Sequence, residues 1–409
     1  MGFLTAFRVM VMALGATGVC WAAPPGQPRI IEGLNETVGS ACFDARANPP
    51  SAQPVTVADS VPLFDGHTLE GWIQEGPRAT FSAGGGELRT SGRGNRPNWL
   101  RTVREYEDFR LRFEYKLAQW AEAAVYLRAP RSAYPGEAGL AIVLAHDFHG
   151  RRDTEHVTGA VRGVLKPAKS LPPSFNEWHS VDVTLEGDLL VVHIDGIEVQ
   201  NTRLGAHPEL RHRLRKGYIG FPDLGHAYAL RNLRIEDRGG RTRFRELFDG
   251  QSLAGWKLFG GGNWVVRNGA IEASNGHGWL FAEGEFQDFE LTLLVRTHHH
   301  PNGGVRVRSV PKSGARGFEV QVYSPPEAVY PTGSIYGLVR SRITRDHEGE
   351  WILMQILLRG THCLVRVDGQ TVAETDRLPE SALKAGQIGL QIHQEDCSIE
   401  YRDIRLREL

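Results

Sequence analysis

The sequence predicts an all-β protein that consists of two tandem β-sandwich or jelly-roll domains. Three observations lead to this fold class. The 409 residues include 47 glycines and 22 prolines, which supply many turns. Apolar and polar residues alternate over short stretches, as expected for strands with one buried face. The second half of the chain also repeats short motifs of the first half in the same order.

This repeat indicates where the domains begin and end. Motifs at 63–72, 99–100, 105–111, 158–163, 176–178, 195–196 and 231–235 recur at 247–256, 279–280, 285–291, 332–337, 349–351, 368–369 and 402–406. We expect a first domain over 61–238 and a second over 244–409. The Asp-Gly pairs at 195–196 and 368–369 predict a tight hairpin turn in each copy, because both turn positions need positive φ. One short helical turn is expected at 379–383.

The N-terminus has the pattern of a secretory signal. Arg8 precedes an apolar run at 9–19, so we expect a signal peptide over 1–23 and a linker over 24–60. The protein is therefore expected to be exported, periplasmic or extracellular, with lipid attachment at Cys20 as the less favoured alternative. No second apolar stretch reaches about 20 residues, so no transmembrane segment is expected. The net charge of −1 argues against a nucleic-acid partner.

Three cysteines remain after the expected cleavage, namely Cys42, Cys363 and Cys397. Cys363 and Cys397 each share a strand face with apolar residues, which favours two buried thiols. A disulfide between these two stays open at this point.

The stretch 317–322 alternates strictly, with apolar side chains on one face and Glu319 and Gln321 on the other. Residues 305–308 and 388–393 show the same alternation. If these strands share one sheet in register, they present a polar surface made of Arg306, Arg308, Glu319, Gln321, Gln391 and His393. This surface is the candidate ligand site.

The motifs of the second copy resemble those of the 3-keto-disaccharide hydrolase family. They are FDG at 248–250, GW at 255–256, DFEL at 288–291, GFEVQ at 317–321, GSIYG at 333–337, GEW at 349–351, DG at 368–369, IGLQ at 388–391 and YRDIRL at 401–406. The first copy matches more loosely. The resemblance implies a concanavalin-like, lectin-like jelly roll. It also implies exported bacterial enzymes that cleave glycosides already oxidised to a ketone at C3, so a separate C3-oxidising enzyme would act upstream.

The implied reaction needs a base, an acid and a positive group. A ketone at C3 acidifies the hydrogen on C2; a base removes it, the C1 substituent leaves, and water can add to the enone. The expected catalytic residues are Glu319, as base or acid, and His393, as base because an imidazole titrates near neutral pH. The expected substrate-binding residues are Arg306, Arg308, Gln321, Tyr336, Gln391 and Trp264. Trp279 is the alternative to Trp264 for stacking on a sugar ring.

No cofactor is firmly expected, and a divalent metal stays an open alternative. The three consecutive histidines at 298–300 precede a turn sequence, which favours an exposed turn over a metal site.

The first copy keeps the scaffold motifs and loses most of the polar surface. Ala141 and Val143 stand where the second copy has Glu319 and Gln321. Other replacements are Tyr126 for Arg306, Arg162 for Tyr336, Pro222 for Gln391 and Leu224 for His393. We therefore expect any activity in the second copy, with the first as a degenerate binding or structural module. The alternative is a carbohydrate-binding protein without chemistry, because such folds host many lectins.

Overall fold

A computed structural model of the chain describes residues 60–94, 98–145, 155–311, 316–325, 327–342 and 348–409. The predicted signal peptide, the linker up to residue 59 and Cys42 lie outside these residues. Over the described ranges the chain is all-β and folds as two tandem sandwiches, as the sequence predicted. None of the helices in these ranges has the length and apolar character needed to cross a membrane.

The first copy is a sandwich of two antiparallel sheets. Its strands are β1 (Val61–Pro62), β2 (Trp72–Glu75), β3 (Phe81–Gly84), β4 (Glu87–Ser91), β5 (Trp99–Tyr106), β6 (Phe109–Leu117), β7 (Glu122–Ala129), β8 (Leu140–Ala145), β9 (His179–Glu186), β10 (Leu189–Ile194), β11 (Ile197–Arg203), β12 (Gly217–Pro222) and β13 (Ala227–Asp237). A short helix α1 (Pro135–Ala138) separates β7 from β8, and a 3-10 turn (Leu204–Ala206) follows β11. One sheet, here called the outer sheet, has the order β11-β10-β9-β6-β13-β4-β3. The other, here called the inner sheet, has the order β2-β5-β12-β7-β8.

The second copy has the same topology. Its strands are β14 (Arg245–Glu246), β15 (Trp256–Gly260), β16 (Asn263–Arg267), β17 (Ala270–Ala282), β18 (Phe289–His298), β19 (Gly303–Ser309), β20 (Phe318–Val322), β21 (Ile352–Arg359), β22 (His362–Val367), β23 (Gln370–Thr375) and β24 (Gln387–Glu408). The 3-10 turn Glu380–Ala382 confirms the helical turn expected there. The inner sheet runs β15-β17-β24-β19-β20, and the outer sheet runs β16-β17-β24-β18-β21-β22-β23.

Two long strands, β17 and β24, take part in both sheets of the second copy. They change sheets near Asn275 and Asp396, which have φ values of 51° and 57°, and their pairing shifts register after Ser274. In the first copy the same two paths are broken into β4 and β5 and into β12 and β13. The positive φ values explain the bend, since they interrupt the extended backbone without ending the strand.

Each sandwich encloses an apolar core between its two sheets. On β20 the buried residues Phe318 and Val320 face this core, as the alternation predicted. The Asp-Gly hairpin turns are also confirmed, because Asp368 and Gly369 have φ values of 46° and 81°. Asp195 and Gly196 behave likewise, with 50° and 75°.

The possibility of a disulfide between Cys363 and Cys397 is wrong. Both are buried free thiols. Cys363 lies on β22 and Cys397 on β24, and two strands, β18 and β21, separate them in the outer sheet. The sulfur atoms therefore belong to separate places in the core, where they act as small apolar groups.

Residues 131–138, here called the clip, pack on both copies at once. On one side, a Cβ added to Gly136 would come within 2.5 Å of the Tyr126 ring and 3.1 Å of the Ala141 Cβ, so α1 lies on the inner face of the first copy. On the other side, Ala138 packs against an apolar patch of the second copy's outer sheet that includes Leu294 and Leu353. The sequence did not predict this helix.

Polar contacts hold the same junction. The Ala133 amide donates to the Trp351 carbonyl oxygen at 2.8 Å, and Arg131 pairs with Asp403. Away from the clip, Arg405 Nη1 lies 2.9 Å from Glu105 Oε2. The two copies therefore form one compact body over the described residues.

Candidate functional site

The inner sheet of the second copy presents one face in rows that cross five strands, β15, β17, β24, β19 and β20. Residues directly paired across antiparallel strands point to the same side. The first row contains Phe259, Trp279, Gln391, Gly304 and Gln321. The second row contains Lys257, Phe281, Gly389, Arg306 and Glu319. The register thus brings Arg306, Glu319, Gln321 and Gln391 onto one surface, here called the polar face.

Glu319 is the acidic group of the polar face and is largely buried, with 12% of its side chain exposed. Its Oε2 lies 3.8 Å from Arg306 Nη1. Burial raises the pKa of Glu319 from 4.5 to about 7, although the charge of Arg306 and a side-chain hydrogen bond with Gln391 lower it in part. A carboxyl group that titrates near neutral pH can both accept and release a proton under physiological conditions.

Two polar atoms of the first row are buried without a partner. Gln321 Nε2 donates to Asn302 Oδ1 at 2.8 Å, but Gln321 Oε1 has no hydrogen-bond partner among the described residues. Trp279 Nε1 is likewise buried without a hydrogen-bond partner among the residues that the structure describes. Such orphan atoms cost free energy unless a water molecule or a ligand completes them.

His393 lies at the far end of the polar face from Glu319. It is paired with His277 on β17, and the two exposed rings meet edge to face with centroids 4.5 Å apart. Along β24, His393 is four residues from Gly389, which belongs to the row of Glu319; this separation is about 13 Å. Glu319 and His393 therefore do not meet, but they can flank a ligand that spans the face.

Arg308 does not belong to the polar face, so its predicted role in substrate binding is wrong. The register shifts between Arg306 and Ser309, and Arg308 has a φ of 49°. This bulge turns the side chain of Arg308 into the scaffold, where it is 0% exposed. Its guanidinium donates to the carbonyl oxygens of Gln287, Gly360 and Ala382 and to Asp288 Oδ1.

The first copy contains the same buried arginine. Arg128 also has a φ of 49° and donates to the carbonyl oxygens of Glu107 and Gly187 and to Asp108 Oδ1. This shared network explains why only this arginine of the predicted polar surface has a counterpart in both copies. It holds strand ends together and faces no ligand.

Trp264 is also placed away from the polar face, so its predicted contact with substrate is wrong. It lies on β16 at the edge of the outer sheet, is 9% exposed and belongs to the core. The tryptophan on the polar face is Trp279, which is paired with Gln391. In the sequence, Trp279 was marked only by its recurrence as Trp99 in the first copy. Periodicity alone could not assign Trp264 or Trp279 to a face of the sheet.

Tyr336 borders the polar face. Its amide donates to the Glu319 carbonyl oxygen at 2.9 Å. The Tyr336 ring is 57% exposed and packs against Tyr330 with centroids 5.2 Å apart. The phenol therefore stands at the rim beside the strand that carries Glu319.

The equivalent face of the first copy is apolar and covered. Trp99, Ala124, Tyr126, Ala129 and Ala141 form a separate buried cluster there. The clip covers this cluster, and Trp99 and residues 133–137 line one narrow cleft. The first copy has therefore replaced a polar surface by a packing surface for its own chain.

Within the described ranges, no group of three or more His, Cys, Asp or Glu residues is arranged to hold a metal ion. His298 contacts Glu400 at 3.0 Å, whereas His300 lies 3.4 Å from Glu348. His298 and His300 thus contact two separate carboxylates. The divalent metal left open by the sequence has no candidate ligand set among these residues.

Comparison with protein families gives two matches along the chain. The sequence model described as "3-keto-alpha-glucoside-1,2-lyase-like domain" matches residues 59–236 and 243–407. These ranges correspond to the two copies found in the sequence and in the fold. Comparison with curated proteins gives no significant match.

Solved structures that match parts of this chain include proteins of two bacteria. A protein of Parabacteroides distasonis ATCC 8503, proposed to be a glycosyl hydrolase, is 18% identical, with 46% of this chain and 99% of that chain covered and a TM-score of 0.40. A second such protein of the same strain is 19% identical, with 43% and 98% covered and a TM-score of 0.38. The carbohydrate-binding module CBM66 of Bacillus subtilis is 14% identical, with 41% and 95% covered and a TM-score of 0.31.

Proposed function

This chain belongs to the family of 3-keto-alpha-glucoside-1,2-lyase-like domains, and from that premise we propose that its second copy cleaves glycosides that carry a ketone at C3. The observation that carries the proposal is Glu319, a carboxyl group on the polar face whose pKa is raised to about 7. Removal of a proton next to a ketone needs a base whose pKa lies near the working pH.

In the proposed reaction, Glu319 accepts the proton from C2 of the 3-keto sugar. The electron pair of the C2–H bond forms an enolate with the C3 oxygen. The ketone re-forms as the C1–O bond breaks, the departing oxygen takes a proton, and the sugar is left as an enone. Water then adds at C1, Glu319 returns its proton to C2, the second proton of the water restores the acid, and a free 3-keto sugar results.

Arg306 is the positive group of this mechanism. Its Nη1 lies 3.8 Å from Glu319 Oε2, so its charge stands close to the point where the enolate forms. A fixed positive charge stabilises the developing oxyanion more than the neutral ketone, and it therefore lowers the barrier to proton removal. The side-chain amides of Gln321 and Gln391 would hold the sugar hydroxyls in this end of the face.

His393 has the role of the acid that protonates the leaving oxygen. About 13 Å along the strands separates it from the row of Glu319, so the scissile C1–O bond would lie between the two side chains, with C2 toward Glu319 and the leaving oxygen toward His393. This assigns Glu319 as base and His393 as acid, where the sequence left the base open. The signal pattern expected at 1–23 supports a reaction outside the cytoplasm, and the proposal includes a separate enzyme that oxidises C3 beforehand.

The test is incubation of the purified protein with a 3-keto-disaccharide, with and without chelator, and detection of the released 3-keto sugar. Glu319→Gln is expected to lose at least about a hundredfold in kcat/KM, with Glu283→Gln, at an exposed position, as the matched control. His393→Ala should lose activity on the disaccharide but keep it on a 3-keto-glucoside with a nitrophenol leaving group, which needs no acid. Wild-type protein that binds disaccharides and leaves the 3-keto substrate intact would identify a carbohydrate-binding protein instead.

A further inference from the structure

We propose that Trp279 forms a leaving-group subsite on the polar face and selects substrates whose C1 substituent is a second hydroxylated ring. This inference deepens the proposed function and rests on it. It assigns a specificity-determining role to a tryptophan that the sequence left only as an alternative to Trp264.

The polar face has two chemically different ends. Glu319, Arg306 and Gln321 lie on β19 and β20, whereas Trp279 lies on β17 beside Phe259. Trp279 and Gln321 share the first row and are three strand positions apart, which is about 14 Å. The row is therefore long enough for two linked pyranose rings, with the keto ring at the acidic end and its substituent at the aromatic end.

The chemistry of the indole fits a sugar ring. A pyranose has apolar C–H faces that pack on an aromatic plane and hydroxyls that form hydrogen bonds at its edge. Trp279 Nε1 is a donor only, and it is buried without a partner among the residues that the structure describes. A hydroxyl oxygen of the second ring would complete this donor, which a methyl substituent could not do.

The first copy shows what the equivalent tryptophan does. Trp99 occupies the position of Trp279, is 3% exposed and lines a cleft together with clip residues 133–137. The acid and the amides of the face are replaced there by Ala141, Val143 and Pro222. The indole is nevertheless kept, and the clip packs beside it. In the second copy, we assign the corresponding side of Trp279 to the ligand.

The experiment compares two substrates on three variants. Trp279→Phe, which keeps a ring and loses the N–H, is expected to raise KM for a 3-keto-disaccharide by about 3- to 10-fold. Trp279→Ala is expected to raise it by about 30-fold or more, because stacking is lost as well. Both should leave methyl 3-keto-glucoside within about twofold of wild type. Trp99→Phe, the same change under the clip, is the control and should affect neither substrate.

Equal losses on both substrates, or no loss on either, would overturn the subsite. Calorimetric titration with the unoxidised disaccharide separates this inference from the proposed function, since binding needs no chemistry. A wild-type protein that cleaves neither 3-keto substrate but binds the disaccharide through Trp279 would refute the function and keep the subsite. If wild type cleaves the 3-keto substrates but Trp279→Phe and Trp279→Ala bind the disaccharide as wild type does, the function stands and the subsite is refuted. If wild type neither cleaves the 3-keto substrates nor binds the disaccharide, the function and the subsite are both refuted.

Discussion

The carboxylate of Glu319 lies across the bare backbone of Gly304 on the neighbouring strand. A Cβ added to Gly304 would come within 2.6 Å of Glu319 Oε1 and 2.7 Å of its Cγ. The missing side chain gives Glu319 room to lie flat against the sheet, and this position buries the carboxylate. In the first copy Ala124 takes the place of Gly304, and Ala141 takes the place of Glu319.

Gly304→Ala should therefore displace the Glu319 carboxylate. We expect kcat/KM on a 3-keto-disaccharide to fall by at least about tenfold, because a small misplacement of a catalytic base costs a large part of its effect. The double variant Gly304→Ala with Glu319→Ala reproduces the pair found in the first copy and should unfold at nearly the wild-type temperature. Full activity of Gly304→Ala would show that the carboxylate does not need this position.

The pH dependence of kcat/KM should rise as the pH increases through about 7, where Glu319 loses its proton and becomes a base. Removing the charge in Arg306→Met should move this rise to higher pH, because Arg306 lowers the pKa of Glu319. Arg306→Lys keeps a positive charge and should move it less. A rise that stays at the same pH in Arg306→Met would contradict the electrostatic link between these two residues.

The buried carboxyl also makes stability depend on pH. Its pKa of about 7 in the folded protein exceeds the ordinary 4.5, so the folded state binds the proton more tightly than the unfolded chain. Ionisation therefore destabilises the fold as pH rises through this interval, by about 3 kcal/mol in total. Relative to wild type, Glu319→Gln should gain about this much unfolding free energy between about pH 4 and pH 8.5.

Chemical denaturation of both proteins at the two pH values measures this difference. Glu283→Gln, an exposed position, is the control for a general effect of removing one negative charge. A stability gain that does not change with pH would show that Glu319 is not a buried acid with a raised pKa.

Substitution of Arg308 is predicted to lower the stability of the fold, whereas substitution of Arg306 is predicted to change the pH dependence of activity. Arg308→Met removes one donor from Asp288, which keeps the Gly360 amide, and removes the donor from three carbonyl oxygens, so the unfolding free energy should fall by at least about 2 kcal/mol. Arg128→Met should weaken the first copy by a similar amount, whereas Arg306→Met should change stability far less. An Arg308→Met protein that folds with wild-type stability but binds substrate more weakly would show that Arg308 takes part in substrate binding.

Much of this organisation could be predicted from the alternation and the internal repeat. Alternation placed Glu319 and Gln321 opposite Val320 because a regular strand has a period of two. The same rule failed at Arg308, where one bulge after Arg306 reverses the direction of the side chain. A bulge depends on the pairing of β19 with β24, which the residues of β19 do not reveal.

Burial was the second quantity that the sequence could not supply. The alternation identified Glu319 as a polar-face residue, but its raised pKa comes from its burial against Gly304, which lies on another strand. Likewise, the sequence does not distinguish Trp264 from Trp279, because the periodicity around each is compatible with either face of a strand. Only the sheet to which each strand belongs separates the core residue from the ligand-facing one.

By itself, the sequence determined the all-β class, the duplication, the hairpin turns and the loss of the polar surface in the first copy, because these depend on local periodicity and on comparison of two similar stretches. The tertiary structure decided which polar residues face a common space, how deeply Glu319 is buried and how the clip covers the first copy. These properties arise from contacts between strands far apart in the chain, so no single stretch encodes them.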